Sequence, residues 1–562
     1  MAYFLKVSKP NGKDRKYLQI YESFYDPNKK TTAHKSYKAL GYEDKLIESG
    51  VENPIEYYKA EVDKLNQDND ESCHKLIGDS PKRYLGYFPI KSILNKLDVQ
   101  RYINYYHLND GINYEFNLYD VLYALICSRI VKPCSKHRTF NEIIPLLYER
   151  FDFSYNQLLE GLEFYGENYE NIIELFTNQV KEKYKLNTNT TYFDCTNFYF
   201  EIDREDDFRR KGPSKESRKD PLIGMGLLLD TNLMPIGMNL YPGNESEKPI
   251  LRKVIDNLKK QNNIEGRTIH VADKGLNCAN NIYFSKKNDD GYIFSKSVKQ
   301  LPEKEKVWVL LDNDYKNVKD SNGDILYRYK ECIDKFPYDY IDENGKKHKL
   351  SLTEKRVVTY NPSLASKTIF EIDKMVEKAK YLCLSKAKKD EYGESSKYVI
   401  FKGKDDSKIN VSINQEKIDE DKKLAGYNLL VTSEIKMKAK DIYDTYHNLW
   451  RIEESFKIMK SDLDARPVYL QKENTIKGHF LICYLCVLLE RIFQFKILNN
   501  KYPSEKIYKF FKEFEVIEAD NRYINITRRN DFIFELAELL KLPINQYYLS
   551  KKQIEKVLNS KL

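Results

Sequence analysis

The sequence lacks several features that would assign it to a common class. Its 562 residues include only nine cysteines, and these do not have the spacing of a zinc finger. The one C-x-x-C pair, Cys483 and Cys486, lies in an apolar stretch, which predicts core residues rather than metal ligands. No apolar run is long enough to span a membrane, and the start, MAYFLKVSKP, lacks the apolar core of a signal peptide. These absences predict a cytoplasmic protein without a membrane partner.

The sequence also lacks a strong excess of positive or of negative charge. The chain has 93 basic and 85 acidic residues, a net charge of +8, with 41% hydrophobic residues, as in folded proteins. The positive charge is nevertheless clustered. Residues 1–40 hold nine lysines or arginines against three acids, and RRKGPSKESRK (209–219) holds six against one. Such clusters are typical of nucleic-acid-binding surfaces, although a solvated lysine-rich surface is the alternative.

The length of the chain predicts several domains. Changes in sequence pattern divide it into six segments: a small β-rich basic module (1–80), a helical region (81–187), an α/β segment (188–299), a β-rich segment (300–430), a helical segment (431–496) and a C-terminal helical region (497–562). In the second segment, NLYDVLYALICSRIVKP is the clearest helix, and Pro133 ends it. The stretch SRIVKPCSKHR (128–138) adds further basic residues there.

The third segment alternates strands and helices, which predicts a mixed α/β sheet. The predicted strands are TTYFDCTNFYFEI, PLIGMGLLLD, MPIGMNLYPG, TIHVAD and YIFSKSV, with an amphipathic helix at NESEKPILRKVIDNLKKQ. In the fourth segment, KVWVLLD, DILYRYK, KRVVTY and YNLLVTS predict further strands around a helix near SKTIFEIDKMVEKAKYL.

Two aspartates stand in unusual places for that residue type. Asp194 lies inside a predicted strand of sheet-forming residues, where an unpartnered carboxylate is disfavoured. Asp273 ends the buried strand TIHVAD, and α/β sheets carry their sites at the carboxyl ends of strands. A divalent cation would relieve the repulsion between two such carboxylates. The alternative for each aspartate alone is a cap or a turn.

The stretch YHNLWRIEESFKIMK (446–460) predicts a helix with two adjacent glutamates. Its apolar residues repeat at intervals of three and four and form a buried stripe: Leu449, Ile452, Phe456, Met459 and Leu463. Positions seven apart differ by only about 20° around a helix, which places Tyr446, Glu453 and Lys460 on one line. Glu453 then borders the buried stripe, and Glu454 points further out. The alternative is an ordinary surface pair between Glu453 and Lys457.

Several ordered motifs together resemble the DDE transposases of bacterial insertion sequences, in the branch with a β-strand insertion before the catalytic glutamate. YFDCTN and VADKG are similar to the contexts of the two catalytic aspartates. The signature of that branch is Tyr, two residues, Arg, three residues, Glu, six residues, Lys. This chain matches it at Tyr446, Glu453 and Lys460 but has Leu449 at the arginine position. YPGNESE and GHFLICYLCVLLERI are further similar segments.

The resemblance implies an α/β fold: a ribonuclease-H-like mixed-sheet catalytic core in two parts (188–299 and 431–496), interrupted by a β-rich insertion (300–430). The β-rich module and the helical region before the core would bind DNA. The implied catalytic and metal-binding residues are Asp194, Asp273 and Glu453, with two Mg²⁺ ions, or Mn²⁺ as a substitute. The implied DNA contacts are Lys215, Arg218, Tyr446, Lys457 and Lys460.

The resemblance further implies that the protein binds terminal inverted repeats, cleaves double-stranded DNA at the element ends and joins the 3′-OH strands to target DNA. It would act as a homodimer on paired ends, associated with the nucleoid. Two alternatives share the fold: a metal-dependent nuclease without strand transfer, and a non-catalytic DNA-binding protein. Clustered acids facing polyanionic DNA argue against the second, because a protein that only binds DNA has no need for them.

Overall fold

The computed structural model describes residues 2–10, 14–26, 31–69, 82–109, 114–213, 219–261, 264, 266–385, 389–402, 410–519 and 522–562. The chain divides into two compact units, Met1–Pro81 and Lys82–Leu562.

The first unit is a small antiparallel sheet followed by helices. Its elements are β1 (Ala2–Ser8), β2 (Tyr17–Asp26), β3 (Thr31–Tyr42), α1 (Glu43–Glu48) and α2 (Pro54–Asn69). The strands pair in sequence order, β1–β2–β3. The sequence predicts two strands here, AYFLKVS and KYLQIYESF, joined by an Asn-Gly turn within KPNGKDR, and β1 and β2 confirm the strands. The turn predicted at Asn11 and Gly12 lies outside the described residues.

The second unit begins with a short strand and a group of helices. These are β4 (Lys82–Tyr84), α3 (Phe88–Lys96), α4 (Val99–Asn109), α5 (Leu118–Val131), α6 (Lys136–Arg138), α7 (Tyr155–Glu167) and α8 (Tyr169–Tyr184). The helix predicted before Pro133 is confirmed as α5, and the Asn117 side chain caps it by accepting from the Asp120 N–H. Every residue of α5 except Asp120 is buried, so this helix lies inside the unit.

The mixed α/β segment is confirmed. Its elements are β5 (Thr190–Tyr199), β6 (Leu222–Leu229), β7 (Pro235–Pro242), α9 (Glu247–Lys260), β8 (Ile269–Ala272), α10 (Ala279–Lys287) and β9 (Gly291–Lys296). Strands β5, β6 and β7 are antiparallel, whereas β8 pairs in parallel with both β5 and β9. The order β7–β6–β5–β8–β9 is consistent with a ribonuclease-H-like sheet.

The next segment extends the same sheet. Its elements are α11 (Glu303–Leu310), β10 (Lys316–Lys319), β11 (Ile325–Ile341), β12 (Lys347–Tyr360), α12 (Pro362–Leu384), β13 (Val399–Lys402), β14 (Asn410–Ile413), α13 (Gln415–Lys423) and β15 (Tyr427–Thr432). Strand β15 pairs with β9, and the full order is β10–β11–β12–β15–β9–β8–β5–β6–β7. The strand predicted at KVWVLLD is wrong, because Glu303–Leu310 is a helix with two acids in its first turn.

Three helices follow the sheet: α14 (Ala439–His447), α15 (Trp450–Lys457), which continues into a π-turn at Ile458–Asp462, and α16 (Glu473–Ile492). Helices α16 and α7 approach closely at glycines. A Cβ on Gly478 would lie 2.2 Å from the Leu162 carbonyl oxygen, and one on Gly166 would overlap the Asn474 carbonyl, so neither position admits a side chain. Cys483 and Cys486 are buried in α16, as predicted.

The C-terminal region contains α17 (Ser504–Glu513), β16 (Glu515–Ala519), β17 (Arg522–Asn525), α18 (Asp531–Leu540), β18 (Tyr548–Ser550) and α19 (Lys551–Leu558). The prediction of a helical tail is therefore incomplete, since three strands join β4 in a four-stranded sheet of order β18–β17–β16–β4. These strands are three to five residues long, too short for an alternating pattern to show.

A buried polar chain fixes β8 beside β5. The Thr191 hydroxyl lies 2.9 Å from His270 Nδ1, and His270 Nε2 lies 3.0 Å from Asp290 Oδ2. Because a carboxylate accepts, Nε2 carries the ring proton and Nδ1 accepts from Thr191. Burial lowers the pKa of His270, which keeps the ring neutral. Lys259 of α9 lies 2.6 Å from the same carboxylate. This chain therefore ties β5, which contains Asp194, to β8, which leads to Asp273.

Candidate active site

The two predicted aspartates are neighbours on adjacent parallel strands. The register of β5 and β8 pairs Phe193 with Ala272. Asp194 is the next residue of β5, and Asp273 directly follows β8. Since paired strands lie about 4.8 Å apart, the two backbones carry these carboxylates side by side.

The alternation of side chains along a strand shows on which face of the sheet the two aspartates lie. Phe193 and Ala272 belong to one apolar core, whereas Tyr192 and Val271 belong to the other. The second core also contains the buried residues of α14 and α15. Asp194 and Asp273 therefore share the face on which α14 and α15 pack, with α15 against β5 and α14 against β8.

Tyr446, near the end of α14, contacts one of the two aspartates directly. Its hydroxyl donates a hydrogen bond of 2.8 Å to Asp273 Oδ1. Burial and the nearby Asp273 carboxylate raise the pKa of Tyr446, so the phenol keeps the proton that it donates. The sequence predicted Tyr446 as a DNA contact. That role stays a prediction, and in the structure the Tyr446 hydroxyl lies on Asp273, where it orients that carboxylate.

The predicted helix over 446–460 is interrupted twice. Helix α14 ends at His447, α15 begins at Trp450, and a π-turn starts at Ile458. The predicted apolar stripe is confirmed as buried: Leu449, Ile452, Phe456, Met459 and Leu463. Leu449, which replaces the signature arginine, is therefore part of the core. The interruptions mean that seven-residue spacing no longer keeps three side chains on one line.

The two glutamates lie opposite to the prediction. Glu453 is exposed, and it forms no ion pair with Lys457 among the described residues. Glu454 is half-buried, with Oε2 3.1 Å from Nη2 of the buried Arg491 and 3.4 Å from Nη1 of Arg451. The prediction that Glu454 points further out is wrong, because Arg491 of α16 draws that carboxylate inward.

The structure brings together two of the three carboxylates that were predicted to bind a divalent metal. Asp194 and Asp273 supply hard oxygen ligands of the kind that Mg²⁺ or Mn²⁺ prefers, on one face of the sheet. Within the described ranges, no three His, Cys, Asp or Glu side chains form a set that could hold a metal ion. Glu453 lies on the neighbouring helix α15, and its place in the metal site stays a prediction.

The residues that were predicted to contact DNA lie in different parts of the protein. Lys460 lies in the π-turn, half-buried, with Nζ 5.5 Å from the centre of the Phe198 ring on β5. Lys457 is exposed on α15. Lys215 and Arg218 lie outside the described residues.

Sequence reasoning missed the charged end of α16. Glu490 and Arg491 follow a long apolar run in the sequence, which predicts a polar end exposed to solvent, yet both are buried and the helix continues to Ile492. Burial raises the pKa of Glu490 to about 7. Two adjacent charges directly after a long apolar stretch were the available signal, since a surface helix would show charges at regular intervals instead.

A comparison with protein families matches this region. The family model described as "Transposase DDE domain" matches residues 194–489, just over half of the chain, and its first matched residue is Asp194. No curated protein matches the chain. None of the described helices is both long and apolar enough to cross a membrane. DDE transposases are enzymes that act on DNA and typically use divalent metals. The chain therefore belongs to the transposase DDE domain family.

Proposed function

We propose that this protein is the transposase of an insertion sequence, of the branch with a β-rich insertion before the catalytic glutamate. It binds the terminal inverted repeats, cleaves the DNA ends and transfers the 3′-OH strands to target DNA. The observation that carries the proposal is the pair Asp194 and Asp273, side by side on the sheet face that α14 and α15 cover. The insertion corresponds to residues 300–430, between the second aspartate and Glu453.

Asp194, Asp273 and Glu453 would hold Mg²⁺, with Mn²⁺ as a substitute. When bound, such ions would activate the attacking water or 3′-hydroxyl and stabilise the leaving oxygen. Phosphoryl transfer leaves the protein to position groups and to neutralise charge. Tyr446 orients the Asp273 carboxylate through its hydroxyl, and Lys460, beside β5, neutralises a phosphate of the scissile strand. Lys457, Lys215 and Arg218 contact the backbone further away.

A strand-transfer assay tests this function against its nearest alternative. The purified chain is mixed with an element end that carries a free 3′-OH, a supercoiled target plasmid and Mg²⁺. Joined products support the transposase. Cleavage of uncut ends without any joined product would instead identify a nuclease on the same fold, and binding without either product would identify a DNA-binding protein.

Removing the Tyr446 hydroxyl should impair the reaction. We expect Tyr446→Phe to lower cleavage by about 10- to 100-fold, because partners that orient metal ligands typically contribute that much. The ring stays in place, so the melting temperature should change little. The measurement is cleavage across a Mg²⁺ titration, in which the variant should need more metal. Full activity for Tyr446→Phe at low metal concentration would contradict the orienting role.

Lys460 should contribute one phosphate contact. We expect Lys460→Ala to lower the salt dependence of DNA-end binding by roughly one unit in the slope of log K against log salt. The matched control is Lys436→Ala, an exposed lysine in the turn between β15 and α14. The readout is anisotropy of a labelled end across a salt series. An unchanged slope for Lys460→Ala would assign this lysine to a structural role within the protein.

Two ends must be cut and joined in one event, so we propose a homodimer on paired ends, in the cytoplasm and associated with the nucleoid. Mass photometry of the protein with a labelled end should show two chains and two DNA ends in one complex. The control is the same protein with unrelated DNA, which should not assemble this complex. A single chain on one end throughout the reaction would contradict the dimer.

A further inference from the structure

A basic cleft of about 780 Å³ lies apart from the three carboxylates. Its walls come from the segment after α5, the segment after the π-turn, and α16. The charged groups on these walls are Arg129, Lys136, Arg138, Arg466 and Asp464. Arg138 forms an ion pair with Glu142, and the two buried cations of the cleft are Arg129 and Lys136.

Arg129 is the first of two buried cations in this cleft. Its guanidinium donates to the main-chain oxygens of Leu463, at 3.2 Å, and of Cys134, at 3.1 Å. These bonds join two walls of the cleft. In the part of the chain that the structure describes, Arg129 forms no ion pair with a carboxylate, and its contacts are with neutral main-chain oxygens.

Lys136 is the second buried cation, and its hydrogen-bond partner is His479 of α16. Lys136 Nζ lies 3.2 Å from His479 Nδ1, and His479 Nε2 lies 2.9 Å from the Ala465 carbonyl oxygen. Because a carbonyl only accepts, Nε2 carries the proton, and Nδ1 accepts from the lysine. Burial lowers the pKa of His479 well below its usual value, so the ring is neutral and its Nδ1 accepts the hydrogen bond. Lys136 forms no ion pair with any described carboxylate.

Two adjacent buried cations without a paired carboxylate are unfavourable, because burial removes their hydration and the main-chain oxygens and the His479 ring that contact them carry no negative charge. Burial, and secondly the charge of Arg129, lower the pKa of Lys136 to about 7. The other titratable groups near Lys136 are the thiols of Cys134, Cys483 and Cys486. Burial raises the pKa of Cys483 and Cys486, so these two thiols are neutral and supply no negative charge. An anion bound in the cleft would supply it.

We propose that this cleft binds a phosphate group of the DNA backbone, an inference that rests on the proposed action on DNA. Tyr155 and the exposed Tyr469 also line the cleft, and such rings can stack on bases or sugars. Its place also suits DNA. Arg466 lies 4.5 Å from the centre of the Tyr199 ring, five residues beyond Asp194 on β5, or about 16 Å along the strand.

This binding should be coupled to the protonation of Lys136. A phosphate favours the charged ammonium, so binding near pH 7 takes up a proton, and affinity falls as the pH rises above 7. A phosphate contact made only by exposed lysines would show no such dependence, because those groups stay charged throughout this range.

The test compares Lys136→Met with the matched control Lys132→Met, which changes an exposed lysine just after α5 that does not line the cleft. Binding of a short duplex is measured by anisotropy at pH 6.5 and 8.5. We expect Lys136→Met to weaken binding roughly tenfold at pH 6.5 and to match the unchanged protein at pH 8.5. Lys132→Met should keep the pH dependence of the unchanged protein. Calorimetry with inorganic phosphate is the second arm.

Each outcome decides the proposal. Duplex binding by Lys136→Met that equals the unchanged protein at both pH values overturns it. Lys136-dependent binding of inorganic phosphate alone, with no effect on the duplex, overturns the assignment to DNA. If Lys136→Met does not fold, calorimetry of the unchanged protein with duplex in two buffers of different ionisation enthalpy replaces it, and absence of proton uptake at pH 7.5 overturns the proposal. Absence of any duplex binding would contradict the proposed function itself.

Discussion

Replacing Glu453 with glutamine should reduce DNA cleavage by about 100- to 1000-fold or more, while the free energy of unfolding changes by less than about 0.5 kcal/mol. The carboxylate is exposed and has no ion pair among the described residues, so the fold does not depend on it. Its proposed role is to complete the metal set with Asp194 and Asp273. The measurement is cleavage of a labelled element end, with DNA binding and thermal melting in parallel.

Asp194→Asn and Asp273→Asn should lose cleavage to the same degree, because each removes one charge from the same set. Binding of the DNA end should survive in all three variants, or become tighter, since each removes a negative charge that faces DNA. Full cleavage by Glu453→Gln would show that the third carboxylate is elsewhere in the chain.

Substitution of the adjacent residue, Glu454→Gln, should instead destabilise the fold and leave cleavage largely intact. We expect it to lower the free energy of unfolding by about 2–4 kcal/mol, because it removes a counter-ion from the buried Arg491 guanidinium. The side chain of Glu454 is 21% exposed, which places the expected value below that of a fully buried pair. Cleavage per folded molecule should persist. The measurement is urea unfolding of both glutamate variants under one set of conditions.

The cost of Glu454→Gln should depend on pH. Glu490, next to Arg491, has a pKa raised by burial to about 7, above its value in the unfolded chain. Below pH 7 it is protonated, so Glu454 is the main counter-ion of Arg491, and the substitution is most costly. As the pH rises through 7, Glu490 ionises and compensates Arg491 instead, so the cost should shrink. A cost that grows between pH 6 and 8 would contradict this arrangement.

The strands and the placement of the two aspartates were accessible to sequence reasoning. Buried strands appear as short apolar runs, and an aspartate at the end of such a run lies at the edge where parallel strands meet. Both features are local in sequence, so the adjacency of Asp194 and Asp273 follows from a correct strand order. Whether these residues hold a metal stays a prediction.

The orientation of the polar side chains on α14 and α15 could not be predicted from the sequence, because it depends on residues far away along the chain. Glu454 turns inward toward Arg491, and Tyr446 reaches Asp273. A periodic pattern reports which face is apolar but not which polar residue a distant partner attracts. The error at KVWVLLD is different in kind. Pro302 and the two acids in the first turn are helix signals that the sequence contains, but the apolar run after them favoured the prediction of a strand.

The pairing of β15 with β9 has a consequence for synthesis of the chain. Strand β9 ends at Lys296, but its partner on that side begins only at Tyr427. At about 5–20 residues per second, on the order of ten seconds pass before the ribosome supplies β15. Until then β9 is an open edge with unpaired main-chain groups beside the strand that leads to Asp273. During this interval the open edge of β9 is a site at which the nascent chain can aggregate.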